Sequence, residues 1–397
     1  MLPRTLLPRL VELSHGFPAI FLTGPRQSGK TTLVRGCFPE WPYRSLEDLQ
    51  VREEAQQDPR GFLARFEGAP GLVLDEAQHA APLFSYLQGF LDERRIGPVI
   101  LTGSQNLQLS MKVSQSLAGR AAILELLPFS RAELTGRPAR TPAGLAAGWS
   151  PVSGGDALLD RALFVGGYPP IHDRGLDPRA WHDAYLRTYV ERDVRTLANI
   201  GDLATFVRFM RLCAGRVGQL LNSSALAADA GVDHTTARRW LSILEASYVV
   251  RLLPPHFRNF SKRVVKAPKL YFLDTGLACG LLGIRSEEDL ATHPLRGALV
   301  ECLAFTELEK LFCHHGERPP LYFWRDHAGH EVDFLVELGG RVVPIEVKSA
   351  ATVPEDAFAG LRRYTRLAAE PGGVLVYGGS ESYGRGGDVL QSWDGVS

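Results

Sequence analysis

The sequence predicts an α/β multidomain chain, and three observations carry that prediction. Its 397 residues amount to roughly two to three ordinary domains, so more than one hydrophobic core is expected. Short apolar runs alternate with helical stretches over the first third, the pattern of a parallel sheet covered on both faces. Near the other end, two alternating strand patterns flank Gly339-Gly340, a strong signal for a tight hairpin. The boundaries that follow are a parallel-sheet domain over 1–134, a linker and helical region over 135–215, a helix-turn-helix of winged type over 216–290, and a further α/β domain over 291–397.

Composition excludes several classes. Hydrophobic residues are 45% and charged residues 22%, a globular balance that leaves no room for a disordered or collagen-like chain. Lys+Arg and Asp+Glu both number 44, so net charge points to no acidic partner and any nucleic-acid surface must be a local patch. Cys37, Cys213, Cys279, Cys302 and Cys313 show no Cys-x-x-Cys spacing, which suits reduced thiols rather than a disulfide scaffold or zinc ribbon. No stretch reaches about 18 uncharged apolar residues. The expectation is a cytoplasmic protein with no membrane partner. Among the basic residues only Lys30, Lys112, Lys262, Lys266, Lys269, Lys310 and Lys348 are lysines. In a chain that prefers arginine, a lysine marks a place that needs a compact ammonium.

The first strand, residues 19–23, runs into Gly24-Pro25-Arg26-Gln27-Ser28-Gly29-Lys30-Thr31, and Thr32 continues into a helical stretch. This matches G-x-x-x-x-G-K-[ST] in its proper context, a P-loop. The glycines let backbone N–H groups and a helix N-terminus surround phosphate oxygens, Lys30 reaches the β/γ-phosphates, and Thr31 offers a hydroxyl to Mg2+. The motif therefore predicts Mg-ATP as cofactor. A second strand, 72–74, ends in Asp75-Glu76. Asp75 is placed to hold the magnesium sphere and Glu76 to polarise the attacking water. The third, 99–102, ends in Gly103-Ser104-Gln105-Asn106, whose polar side chains suit sensing of the γ-phosphate.

Together with that loop, the Asp75-Glu76 pair, Leu101-Thr102-Gly103-Ser104, Leu117-Ala118-Gly119-Arg120 and Leu127-Pro128-Phe129-Ser130 resemble the AAA-type ATPases fused to a C-terminal domain of uncharacterised function, common in bacteria and archaea. The resemblance spans nearly the whole chain. It implies a P-loop NTPase sheet, a homo-oligomer, and Arg120 as the cation that meets transition-state charge, on the same or a neighbouring subunit.

In the middle of the chain, residues 223–233 and 234–246 have the apolar spacing and turn glycine, Gly231, of a helix-turn-helix, with Ser223 or Ser224 as the first cap. The second helix presents His234, Thr235, Arg238 and Arg239. A strand over 248–253 follows, and then Arg258, Lys262, Arg263, Lys266 and Lys269 occur with no acid between them. Such a patch suits phosphate neutralisation, so DNA is the expected partner.

Pairing 331–338 with 341–348 across the glycine turn sets Asp333 opposite Glu346 and Glu331 opposite Lys348. Val332, Phe334, Val336 and Leu338 then share an apolar face with Val343, Ile345 and Val347, while Asp333, Glu346 and Lys348 lie on the other. Two facing carboxylates repel, and a divalent cation between them would resolve the conflict. Asp333 followed by Glu346-Val347-Lys348 resembles the D…ExK core of restriction-endonuclease-like enzymes. That likeness implies Asp333 and Glu346 as metal ligands, Lys348 as the residue that positions or activates water, and Glu301 as the helical acid of the metal site. Arg325 is the candidate contact to substrate phosphate. His314, His315, His327 and His330 fit no zinc-ligand spacing.

The whole reads as an ATP-dependent DNA-binding or DNA-processing protein, with branched or junction DNA as a target by analogy and nuclease activity left open. The other reading from this sequence is a nucleotide-controlled regulatory ATPase whose C-terminal half is an inactive scaffold.

Overall fold

A computed structural model describes residues 2–104, 117, 119–155, 158–189, 202–256, 266–326 and 328–397. The chain divides into two compact units, Met1–Pro128 with Cys313–Glu317, and Phe129–Phe312 with Arg318–Ser397. No described helix is long and apolar enough to cross a membrane.

In the first unit the described strands are β1 (Ala19–Thr23), β2 (Tyr43–Ser45), β3 (Leu72–Asp75), β4 (Val99–Thr102) and β5 (Ala121–Glu125). They lie in the order β2-β3-β4-β1-β5, and every pair is parallel. The three strands expected from apolar runs are the central ones, buried on both faces. Ala19 and Phe21 point into one core with Leu72, Leu74, Phe62 and Leu87, while Ile20 and Leu22 point into the other with Val73, Ile100, Leu10 and Val34. Alternation along β1 thus feeds two cores, each leucine or phenylalanine contributing about 1.5–3 kcal/mol by leaving water. Parallel pairing brings the C-terminal ends of these strands to one edge, where open α/β sheets bind ligands.

In the second unit, β8 (Leu321–Arg325), β9 (Glu331–Leu338), β10 (Arg341–Lys348), β11 (Val374–Tyr377), β12 (Tyr383–Arg385) and β13 (Asp388–Ser392) form a mixed sheet ordered β12-β13-β11-β10-β9-β8. Gly339 and Gly340, at φ 59° and 81°, turn β9 into β10 and set Leu338 opposite Arg341. Both central residues of such a turn need positive φ, which glycine supplies without strain. The predicted register holds to Ile345 opposite Phe334. The charged face is partly covered by a helix, although the Lys348 side chain stays 42% exposed. Leu335 and Val342 on that same face are buried with Leu361 and Tyr364 of the helix Ala359–Ala368.

Ahead of this sheet, the helices Ser223–Ala230 and His234–Ala246 meet at Gly231 (φ 72°) and lead into an antiparallel ribbon of β6 (Val250–Leu253) and β7 (Lys269–Phe272). Asn222, rather than Ser223 or Ser224, caps the first helix, accepting from the N–H of Ala225 at 3.0 Å. Asp233 caps the second through Thr236. The start of the expected linker and helical region, residues 135–155, is strapped to residues 391–395. Arg140 donates to the carbonyl of Gly395 at 2.8 Å, Arg137 pairs with Asp394, and Val152 N–H reaches Gln391. Arginine side chains hold in place a segment too poor in large apolar residues to hold itself.

Candidate functional site

The phosphate loop leaves β1 at Gly24, whose φ of 142° and close approach to the backbone of Leu126 exclude any side chain. It ends at Gly29 (φ 94°), from which the helix Lys30–Cys37 starts, its free N–H groups facing the loop. Lys30 is buried, and its ammonium donates to the carbonyls of Gly24 (2.9 Å) and Pro25 (2.8 Å). Burial pulls this lysine down to about 8, against the opposing pull of Glu76 and Asp75. Ser28 Oγ is buried without a hydrogen-bond partner. From the N-terminal segment, the Arg4 guanidinium donates to the carbonyls of Ser28 (2.8 Å) and Leu127 (2.6 Å), buttressing the loop from behind.

Asp75, at the end of β3, faces the loop across β4. Its Oδ2 accepts from the Thr31 hydroxyl at 2.9 Å and from the Tyr43 phenol at 2.6 Å, and its Oδ1 accepts from Thr102. Hydroxyl and carboxylate oxygens side by side are the hard donors that Mg2+ takes. No sequence motif singles out Tyr43 or Thr102 for this role. Each lies on a strand adjacent to β3, and only the pairing of β2 and β4 with β3 brings them to Asp75. Burial pushes the Tyr43 phenol well up, and its bond to Asp75 adds to the shift, so it acts as a donor. Glu76 follows in left-handed backbone, φ 53° and ψ 46°, a conformation unusual for a glutamate and found where a site over-determines it. Its Oε2 accepts from Gln78 and, at 3.4 Å, from Ser104. Arg26 is half-buried, while Gln27 in the loop and Thr32 in the following helix are exposed. Gln105 and Asn106 lie outside the described residues.

Arg120, expected to act on the same or a neighbouring subunit, lies away from the loop of its own chain. Its backbone precedes β5 at the edge of the sheet where β1 begins, opposite to the phosphate loop, and its guanidinium pairs with Asp92 at 2.6 Å. That placement offers no contact with a nucleotide on the same subunit.

The second unit gathers a cluster of charges. Lys269, from β7, is 2% exposed and sends its ammonium to Glu301 Oε1 (2.9 Å), to Glu331 Oε1, and toward Asp333 Oδ1 (3.6 Å). Glu331 also pairs with Arg325 at 3.1 Å, and Glu301 accepts from the Tyr271 phenol. Asp333 Oδ2 accepts from the N–H of Val347 at 2.9 Å, and Lys348 holds Glu346 Oε1 at 2.7 Å. Lys269 is buried rather than part of a surface patch, Arg325 pairs with Glu331, Glu301 and Asp333 share Lys269, and Glu346 pairs with Lys348. Among the described residues no three metal-binding side chains converge in a way that could hold an ion. Lys269 stands against Glu301 and Asp333 and Lys348 against Glu346, a donor set that suits ammonium groups better than a divalent ion.

Burial raises the carboxyls of Glu346, to about 8, and Glu301, to about 7, with repulsion from Asp333 adding to both; burial raises Asp333 too. Lys348 opposes the shift at Glu346 and Lys269 that at Glu301. Glu346 Oε2 is buried with no hydrogen-bond partner, which suits a protonated carboxyl. A carboxyl whose folded pKa lies above its unfolded value stabilises the fold below about 4.5 and loses that contribution as pH rises through the folded pKa. The second unit should therefore weaken between about pH 5 and 8.5. Glu346→Gln should remove much of this slope, gaining on the order of 1–3 kcal/mol at pH 8.5 and little at pH 5. Urea unfolding of both proteins at the two pH values measures it; parallel slopes would mean that Glu346 is solvated.

Arg238 and Arg239 are exposed on the helix His234–Ala246, as are His234 and Thr235, and Lys266 is exposed ahead of β7. Arg258, Lys262 and Arg263 lie outside the described residues.

Residues 16–135 match the AAA domain family. Residues 156–288 and 296–394 match two domains of unknown function, DUF8612 and DUF4143. Over 357 residues the chain is 35% identical to the uncharacterized proteins Rv2008c of Mycobacterium tuberculosis and Mb2031c of Mycobacterium bovis, covering 88% of this chain and 74% of each relative. Among solved structures, the Walker-type ATPase PABY2304 of Pyrococcus abyssi aligns over 70% of this chain and 94% of its own, at 15% identity and a TM-score of 0.45.

Proposed function

Because the chain belongs to the same family as the mycobacterial proteins Rv2008c and Mb2031c and carries an AAA-type ATPase domain, we propose that it hydrolyses Mg-ATP and couples hydrolysis to DNA binding or remodelling. The observation that carries the first half is the meeting of Thr31 and Asp75 beside the phosphate loop, with Glu76 next in line. In this reading Thr31 and Asp75 hold the magnesium of the nucleotide, which supplies charge neutralisation at the phosphates. Lys30 leaves the loop carbonyls for the β/γ-oxygens. Tyr43 and Thr102 keep the Asp75 carboxylate oriented. Glu76 takes the proton of the attacking water. Arg120, on the edge opposite its own nucleotide, serves a neighbouring subunit of a homo-oligomer or stays paired with Asp92.

The DNA half rests on the exposed face of the second helix of the pair. A helix-turn-helix followed by a two-stranded ribbon is the arrangement of a winged helix, and Arg238, Arg239 and Lys266 are solvent-facing cations among its described residues. We take the C-terminal sheet as restriction-endonuclease-like, a domain that engages the DNA in this coupling. ATPase rates with and without single-stranded, duplex and four-way junction DNA test the coupling, with stimulation expected from at least one of them. Changing Arg238 and Arg239 to alanine should weaken DNA binding uniformly across sequences and lower the salt slope by about one for each phosphate no longer neutralised. Absence of DNA binding at low salt would instead favour the regulatory ATPase, in which nucleotide gates a protein interaction.

A further inference from the structure

The D…ExK pattern of β9 and β10 calls for a divalent ion, and the second unit supplies an ammonium in its place. The carboxylates of the pattern already face cations or N–H donors, apart from Glu346 Oε2. Lys269 Nζ lies 2.9 Å from Glu301, contacts Glu331 and stands 3.6 Å from Asp333. The second oxygen of Asp333 takes the Val347 N–H, that of Glu331 takes Arg325, and Glu346 is held by Lys348. A cation such as Mg2+ or Mn2+ needs several of these oxygens within roughly 2.0–2.6 Å of one point, which an ammonium among them excludes.

The lysine is delivered by backbone that is fixed on both sides. Lys269 pairs with Leu253 in the ribbon and bridges to Leu220. Beyond β6, His256 N–H donates to the Phe323 carbonyl at 2.8 Å and Phe323 N–H to that of Pro254 at 3.1 Å, so residues 254–256 run along the edge of β8. The Phe323 ring lies 5.7 Å from the ammonium. This is a buried side chain held by its strand, unlike a surface lysine free to swing away. We infer that Lys269 is the resident cation of the acidic pocket, standing where nucleases of the D…ExK pattern carry a metal ion, and that the C-terminal sheet works without a divalent ion. The inference holds whether or not DNA is the partner. It makes the site a joint between the β6–β7 ribbon and the sheet.

Manganese binding to the nucleotide-free full chain, followed by the electron paramagnetic resonance of free Mn2+, tests it. The wild type should bind no Mn2+ that Asp333→Asn removes. Lys269→Ala should gain a Mn2+ roughly tenfold tighter than any in its parent, and lose it again when Asp333→Asn is added. Mn2+ bound by the wild type in an Asp333-dependent way overturns the inference, as does a folded Lys269→Ala that gains none. A second measurement needs no variant. Lys269 in the wild type should resist reductive methylation far longer than exposed Lys266, with or without millimolar Mn2+; equal rates, or protection lost on adding Mn2+, would overturn it too.

Discussion

Glu76→Gln should lower steady-state phosphate release by about 10²–10⁴-fold, the range that a positioned general base contributes, while nucleotide still binds. Glutamine matches glutamate in volume and can keep the contacts with Gln78 and Ser104, so the left-handed turn after β3 should survive. What it cannot do is accept the proton of the attacking water. Lys30→Ala should fail earlier. Removing the ammonium strips the loop carbonyls of Gly24 and Pro25 of their donor and the β/γ-phosphates of their cation, so both nucleotide binding and turnover should disappear. The two variants differ in binding and agree in turnover. Full activity in either, with an unchanged thermal melt, would remove the hydrolytic assignment. Asp75→Asn should fall between them, since the amide can still accept from Thr31 but is a weaker ligand for magnesium.

What the sequence makes legible is what is local. The phosphate loop needs eight consecutive residues after a strand, and the glycine hairpin fixes its own register, so spacing alone places both. Contacts made by sheet assembly are hidden from it. Tyr43 sits on a strand of three residues with only partial burial, and nothing in Tyr-Arg-Ser signals that its phenol meets Asp75. Arg120 shows the same limit from the other side. A short motif with a resemblance attached suggests a catalytic role, but the parallel pairing of β5 with β1 sets its residue at the far edge of the sheet. Lys269 reads as a surface cation because it closes an acid-free run from Arg258 onward. Its partners Glu301, Glu331 and Asp333 arrive from a later helix and strand, and linear charge density cannot see them. The cap lies at Asn222, one residue before the first of the expected serines, because its side chain is the one that reaches the N–H of Ala225.

The largest stability effect should come from that buried lysine. Lys269→Met keeps most of the stem that fills the space beside Phe323 but leaves Glu301 and Asp333 buried without their cation, and Glu331 with Arg325 alone. Breaking a buried ion pair by removing one partner costs about 3–5 kcal/mol, because the remaining charge stays desolvated. The loss should fall on the unfolding transition of the second unit, with that of the ATPase unit unmoved. It should also depend on pH with a definite sign. Lys269 now opposes the rise of the Glu301 carboxyl; without it, burial and mutual repulsion push Glu301 and Asp333 further up. Carboxyls raised in the folded state favour folding when protonated, so the variant should lie nearest the wild type at about pH 5 and furthest from it at about pH 8.5. Adding Glu301→Gln to Lys269→Met should recover part of the loss at the higher pH, and the double-mutant cycle then measures the pair directly. A penalty below about 1 kcal/mol, the worth of an exposed ion pair, or one that does not change with pH, would show that water rather than the three carboxylates surrounds the ammonium.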